Sequence, residues 1–253
     1  MVNALVLAGC GPRDKDDKGL SNKPFIMING KPMIEYVIDA LSRAAMVDRI
    51  SVVGPRPLLE RFIKDRVAYI IDQSKSIFDN LNRGIQPFKE DGRVLVATSD
   101  IPMITPGAVD HFISKSQQSA ADLCYPIVSK DINEQKFPGT RRTYVKLKEG
   151  VFTGGNMMYL NPRMISTCGE FAKKLLEYRK RPLKTSRLIG FSFSVRFLLG
   201  MLSISKLEER VSAILAYKVA AVISPYPEIG TDVDRAEDIE LAKRYLQRLN
   251  IGA

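Results

Sequence analysis

Three groups of residues in this chain could act on a phosphate. The first is the run Leu7-Ala8-Gly9-Cys10-Gly11-Pro12-Arg13. Its glycines let backbone N–H groups approach a phosphate closely, and Arg13 adds a charged donor fork. The same run could equally be a tight turn after a strand. The second is Lys23, in Asn22-Lys23-Pro24. An ammonium there could neutralise charge as a triphosphate is cleaved, or be one more solvated lysine. The third is a set of carboxylates: Asp100 after the apolar run Val94–Ala97, and Asp232 and Asp234 near the end of the chain. Magnesium takes hard oxygen ligands, one or two carboxylates together with substrate phosphates and water. Asp100 could instead cap the helix expected near Pro106. Asp234 could cap the closing helix, with Glu237 three residues on as in a capping box.

Other chemistries lack their residues. The glycine loop is not G-x-G-x-x-G, since Asp14 holds the last place, and no G-x-x-x-x-G-K-[ST] loop occurs. Cys10, Cys124 and Cys168 are widely spaced, which suggests neither a zinc site nor a disulfide framework. His111 is the only histidine. It has no motif partner and reads as a residue on a helix face, so no Ser-His-Asp or Cys-His system is available.

The elements that must position these groups alternate. Strands are expected at Asn3–Leu7, Phe25–Ile28, Ile50–Val53, Tyr69–Ile71, Val94–Ala97 and Leu123–Ile127. An Asn29-Gly30 turn follows the second. Helices are expected from Pro32 (Ile34, Val37, Ile38 and Leu41 at helical spacing), and at Pro57–Ile63, Ser76–Ile85 and Pro106–Lys115. This β-α alternation predicts an α/β fold with a doubly wound, mostly parallel sheet. Ligands then sit outside the carboxyl ends of the strands, where Gly9 and Asp100 fall. Further on, Tyr144–Leu147 and Val151–Phe152 predict a hairpin and Met157–Leu160 a strand. A helical insertion covers about 165–216. A strand at Val219–Ile223 and a helix at Ala236–Leu249 close the chain. With no repeat and no low-complexity linker, one domain over 1–253 is expected.

The opening, LAG followed by a charged loop and NKPFIMINGKPMIEYVIDAL, resembles that of the MobA-like nucleotidyltransferases. These include molybdenum cofactor guanylyltransferase and sugar-phosphate cytidylyltransferases. Gly9 matches the first glycine of their LAGG-x-G-x-R-M loop. Cys10 stands where a second glycine is usual, no methionine follows Arg13, and Gly11 and Arg13 align only if one residue is deleted. The resemblance implies transfer of a nucleoside monophosphate from a triphosphate to a phosphorylated or similar small-molecule acceptor, with pyrophosphate released. It makes Lys23, Arg13 and Asp100 the catalytic set. Leu7, Ala8, Gly9, Cys10, Gly11, Lys23 and Asn80 then hold the nucleotide, and Asp72–Ser74 and Ser76–Asn80 lie where the base is read. Gly155 and Asn156 line the acceptor side. Magnesium is held by Asp100 and Asp234, with Asp232 as the alternative second ligand. Two rival classes remain: a glycosyltransferase of related fold, although Asp100-Ile101-Pro102 is not its usual D-x-D, and a non-catalytic nucleotide-binding or membrane-surface protein.

The net charge of +10 favours anionic partners. Nucleotides and phosphorylated metabolites fit it, and nucleic acid is not expected. No basic leader precedes an apolar run at the start, and a cytoplasmic protein is expected. The span 173–204 is basic and then strongly apolar, with Arg196 in the apolar part. It is read as a helical hairpin packed on the core or on a second copy in a homodimer, as a lid over a phosphorylated acceptor, or as a peripheral contact with anionic lipid.

Overall fold

The computed structural model describes residues 1–9, 22–169 and 191–251. Its centre is a nine-stranded sheet. Four parallel strands run in the order β5 (Tyr69–Asp72), β4 (Val47–Gly54), β1 (Val2–Leu7) and β6 (Val94–Thr98). Beside β6 lies the antiparallel β10 (Met157–Leu160), which also pairs with β7 (Leu123–Ser129). On the far side of β7, β11 (Val219–Ile223) runs parallel to it. The hairpin of β8 (Val145–Leu147) and β9 (Gly150–Gly154) joins the upper part of β7. Seven of the nine strands point the same way, β9 and β10 being the exceptions. The sheet is thus mixed and mostly parallel, with helices on both faces.

Strand alternation sorts the core. Ala4, Val6, Val52, Leu95 and Ala97 face α1 (Met33–Arg43), α2 (Arg56–Ile63) and α4 (Pro106–Ser119). Leu5, Val53, Val94 and Val96 face α3 (Ile77–Ile85) on the other side. Both faces are covered, as side chains of period two require in a parallel sheet. Phe112 of α4 is fully buried, and such a side chain contributes about 1.5–3 kcal/mol. A third cluster joins Ile28, Met33, Phe137 and Val233 to Ala242 and Leu246 of α8 (Ala236–Ile251).

Two expectations are corrected, and two further local features are added. Phe25–Ile28 is not one strand. Asn22 has a left-handed backbone and Pro24 sits in a 3₁₀ turn over Lys23–Phe25, with Phe25 N–H bonded to the Asn22 carbonyl at 2.9 Å. Only Met27–Ile28 (β2) is extended, and it pairs with Lys31–Pro32 (β3) around Asn29-Gly30. Both turn residues have positive φ, as a tight two-residue hairpin requires. A short helix, α5 (Lys130–Lys136), follows β7; Ser129 caps it by accepting from the Ile132 N–H. The cap of α4 is Thr105, accepting from Ala108 N–H at 3.3 Å, in keeping with the poor spacing of Asp100 for that role. Finally, Asp238, not Glu237, makes the return bond at the last helix, accepting from the backbone N–H groups of Asp234 and Arg235 at 3.0 Å. This leaves the Asp234 carboxylate directed elsewhere.

Of the insertion, the described part is helical at 163–169, α6 (Phe191–Leu198) and α7 (Ile204–Leu215). Residues 170–190, which carry most of the basic run, lie outside the described residues, so its three readings are untested. Among the described residues no helix is long and apolar enough to cross a membrane.

Candidate active site

At the carboxyl edge of β1 and β6 the backbone leaves the sheet in two directions. Leu7 pairs with Val53 and Thr98, and Ala8 N–H still bonds to Val53. Gly9 then lies against the Asn80 amide: a β-carbon there would sit 3.0 Å from Asn80 Nδ2 and 3.4 Å from Gln73 Oε1. Asn80 is buried on α3, and its oxygen accepts from Ser74 N–H at 2.5 Å. Leu7, Ala8, Gly9, Asn80 and the Asp72–Ser74 stretch therefore share one corner. Cys10, Gly11 and Arg13 lie outside the described residues.

β6 is apolar and buried until Thr98, so its end delivers Asp100 into the opening. Thr98 Oγ1 donates to Asp100 Oδ1 at 2.5 Å and orients the carboxylate. The Asp100 carbonyl accepts from Val233 N–H at 2.8 Å. This bond brings the 231–234 segment to the strand end. Ligand oxygens of Asp100, Asp232 and Asp234 lie within 4.8 Å of one another. Lys23 Nζ donates to Asp100 Oδ2 at 2.6 Å and to Asp234 Oδ1.

Electrostatics follow from this crowding. Burial works against the Lys23 ammonium, but Asp100 and Asp234 outweigh it and raise its pKa. Burial and the charge of Asp100 push Asp232 up to about 6. Burial also opposes charge on Asp234, yet Lys23 holds its carboxyl below the usual range. Two cations, Lys23 and the Arg142 guanidinium on Asp232, face three carboxylates, which leaves excess negative charge, and the donors are hard oxygens. The residues present fit magnesium.

Sequence reasoning missed Arg142. Its buried guanidinium donates to the Asp232 carboxylate and, at 2.6 Å, to the Asp232 carbonyl, fixing the turn that carries Asp232 and Asp234. It also missed Glu228, fully buried, which accepts from Thr105 at 3.0 Å and Lys136 at 2.7 Å and anchors the start of that segment. Neither position has a local motif; both partners are distant in sequence.

Gly155 and Asn156 form the bend between β9 and β10. Gly155 N–H bonds to the Pro126 carbonyl, Asn156 N–H to the Ile229 carbonyl, and the Asn156 carbonyl accepts from Thr98 N–H. A β-carbon on Gly155 would lie 2.6 Å from Ile229 Cγ2 and 2.7 Å from Pro126 Cγ, so only glycine fits. The bend thus stands between the end of β6 and the segment bearing the carboxylates. His111 takes no part: it lies on α4, its ring 5.3 Å from that of Tyr226.

Gly9 and Asp100 at the carboxyl ends of parallel strands, with Lys23, Asp232 and Asp234 gathered beside them, make a site of the kind that α/β proteins use for phosphate-bearing ligands. The chain belongs to the MobA-like NTP transferase domain family, whose profile matches residues 4–172. A probable molybdenum cofactor guanylyltransferase of Thermococcus gammatolerans is 29% identical over 126 residues, which is 50% of this chain and 62% of that protein. The chain thus spans about six-tenths of the length of that relative. A hypothetical transferase from Thermus thermophilus superposes with a TM-score of 0.84 at 37% identity, covering 94% of this chain and 99% of that one. CMP:2-keto-3-deoxy-manno-octonic acid synthetase, solved with CTP, shares the fold at a TM-score of 0.64 and 15% identity, with 98% and 100% coverage.

Proposed function

We propose that the chain is a magnesium-dependent nucleotidyltransferase that moves a nucleoside monophosphate from a nucleoside triphosphate to a phosphorylated, or similar, small-molecule acceptor. The observation that carries this reading is the convergence of Lys23 with Asp100 and Asp234, residues 77 and 211 positions away in sequence. An acceptor phosphate oxygen attacks the α-phosphorus. The bond from that phosphorus to the bridging oxygen breaks, and pyrophosphate leaves with the electron pair. An acceptor phosphate is already an anion, so no side chain need remove a proton. The protein's part is positioning and charge neutralisation.

Lys23 is released from the carboxylates to neutralise the triphosphate. The backbone at Ala8 and Gly9 approaches the phosphates, and Asn80 with Gln73 meets the base. Arg13 and the Cys10 and Gly11 amides are assigned the same phosphate role on sequence alone. Asp100 and Asp234 would hold magnesium, with Asp232 beside them; bound there, the ion supplies charge screening to the reacting phosphate. Gly155 and Asn156 line the acceptor side. One domain working in the cytoplasm accords with this reading. Pyrophosphate release tests it, with each of the four common triphosphates, a panel of phosphorylated acceptors, and wild type beside Asp100→Asn. Release with wild type that the variant lacks is expected. No release across the panel, or full release by the variant, contradicts it and favours a non-catalytic nucleotide-binding role.

A further inference from the structure

Between α7 and the sheet lies a cavity of about 300 Å³ whose lining surface is apolar. Its walls include Leu123, Tyr125 and Ile127 of β7, Ala221 of β11, and Leu207 and Val211 of α7. The walls belong together by register. Leu123, Tyr125 and Ile127 alternate onto one face, and β11 pairs beside them with Ala221 level with Tyr125. Among the described residues, the small alanine leaves the space open and α7 crosses the face without closing on it: Leu207 and Val211 are half-buried and Tyr125 is 39% exposed. The carboxylate of Glu208, at the rim, is taken up by the Ala221 N–H at 2.7 Å. Protein interiors are close-packed, with few voids larger than a water molecule. An open apolar space of this size lies at the lower end of small-molecule sites, roughly 300–1,000 Å³.

One side chain extends from the cavity towards the candidate active site. The Tyr125 ring lines it, while the Tyr125 hydroxyl packs on Gly154, where a β-carbon would lie 2.5 Å from it. Gly154 immediately precedes the acceptor-side bend. The cavity also runs along β7 towards its carboxyl end, the edge where Asp100 and Asp234 lie. Two of its walls, α7 and β11, fall beyond the stretch matched by the family profile, residues 4–172.

We propose that the acceptor is a phosphorylated amphiphile whose hydrocarbon chain occupies this cavity while its phosphate reaches the carboxylate cluster past Tyr125. This rests on the transferase reading and names its acceptor class. The reaction is the one already written: the alkyl phosphate oxygen bonds to the α-phosphorus and pyrophosphate leaves.

The test uses the full chain with magnesium, the triphosphate it accepts, and n-alkyl phosphates from ethyl to dodecyl, all below their micellar concentrations. Product formation gives kcat/KM for each. Burial of each methylene multiplies kcat/KM by about fourfold, until the cavity is full and the series levels off. Ala221→Phe fills the space; it is expected to flatten the series and leave the thermal shift by the triphosphate with magnesium unchanged. Val211→Phe, from the other wall, serves the same purpose if the first variant does not fold. A flat series in wild type, with short and long phosphates used equally, overturns the proposal while leaving the transferase reading intact. A chain-length dependence that neither filling variant alters also overturns it. No transfer to any alkyl phosphate, with triphosphate binding retained, removes the amphiphile as acceptor. Loss of triphosphate binding in wild type removes the transferase reading itself.

Discussion

Lys23 is the residue on which the proposed chemistry turns, because its ammonium bridges Asp100 and Asp234 in the carboxylate cluster. Replacing it with alanine leaves Asp100 and Asp234 repelling one another and strips the triphosphate of a donor. Steady-state assays of Lys23→Ala are expected to show kcat/KM reduced by about 100-fold or more, the scale of losing one transition-state donor. A loss under about fivefold would assign the lysine a structural role. Asp232 gives a pH signature. In the folded, metal-free chain its carboxyl titrates at about 6, against 3.8 for an ordinary aspartate. The folded state therefore holds this proton more tightly than the unfolded one. The stability it contributes is present below pH 4 and is lost as the pH rises through 6. Metal must displace the same proton. Stabilisation by magnesium, read as a melting-temperature increment, is expected to grow between pH 5 and 7; an increment independent of pH would contradict the placement of Asp232 in the site.

The elements matter through the segment Pro227–Asp234, which delivers two carboxylates from the far end of the chain. It is held by Asn156 N–H on Ile229, by Val233 N–H on Asp100, and by Arg142 on Asp232. Arg142→Ala removes the partner of the Asp232 carbonyl and the ion pair of its half-buried carboxylate. A destabilisation of about 2–4 kcal/mol is expected by denaturant titration, with weaker magnesium binding; unchanged stability would show the segment to be fixed by its backbone alone. The strands and helices that carry Gly9, Asn80 and Asp100 were legible because apolar runs end at glycine, serine or aspartate with helical spacing between them. Local signals of that kind set β1, β6 and α3 almost to the residue. The Phe25–Ile28 stretch misled because an apolar quartet looks extended, while Pro24 and the left-handed Asn22 impose a turn. Asp234 was visible as an acidic residue before a helix, yet nothing local shows that Asp238 bonds back to the chain while the Asp234 carboxylate turns to Lys23. Arg142 and Glu228 had no local signal, since their partners are tens of residues away or more.

Over the whole molecule, the family match covers residues 4–172. That part contains Asp100 and Lys23 but neither Asp232 nor Asp234. The site is completed by the closing segment, and the apolar cavity is walled partly by it. On the proposed reading, the part matched by the family profile would supply nucleotide handling, and the part beyond it would set metal closure and acceptor choice. The excess of positive charge over the chain suits the anionic substrates that both halves would share. The central claim is that nucleotide and magnesium meet at Asp100. It is tested most directly by the melting temperature with ATP, GTP, CTP or UTP, each with and without magnesium, on wild type and Asp100→Ala. A ligand selective for the native state raises that temperature by mass action. The expected result is a magnesium-dependent rise with one triphosphate that Asp100→Ala abolishes. A chain that responds to none of the four, or a variant that responds as wild type does, would contradict it.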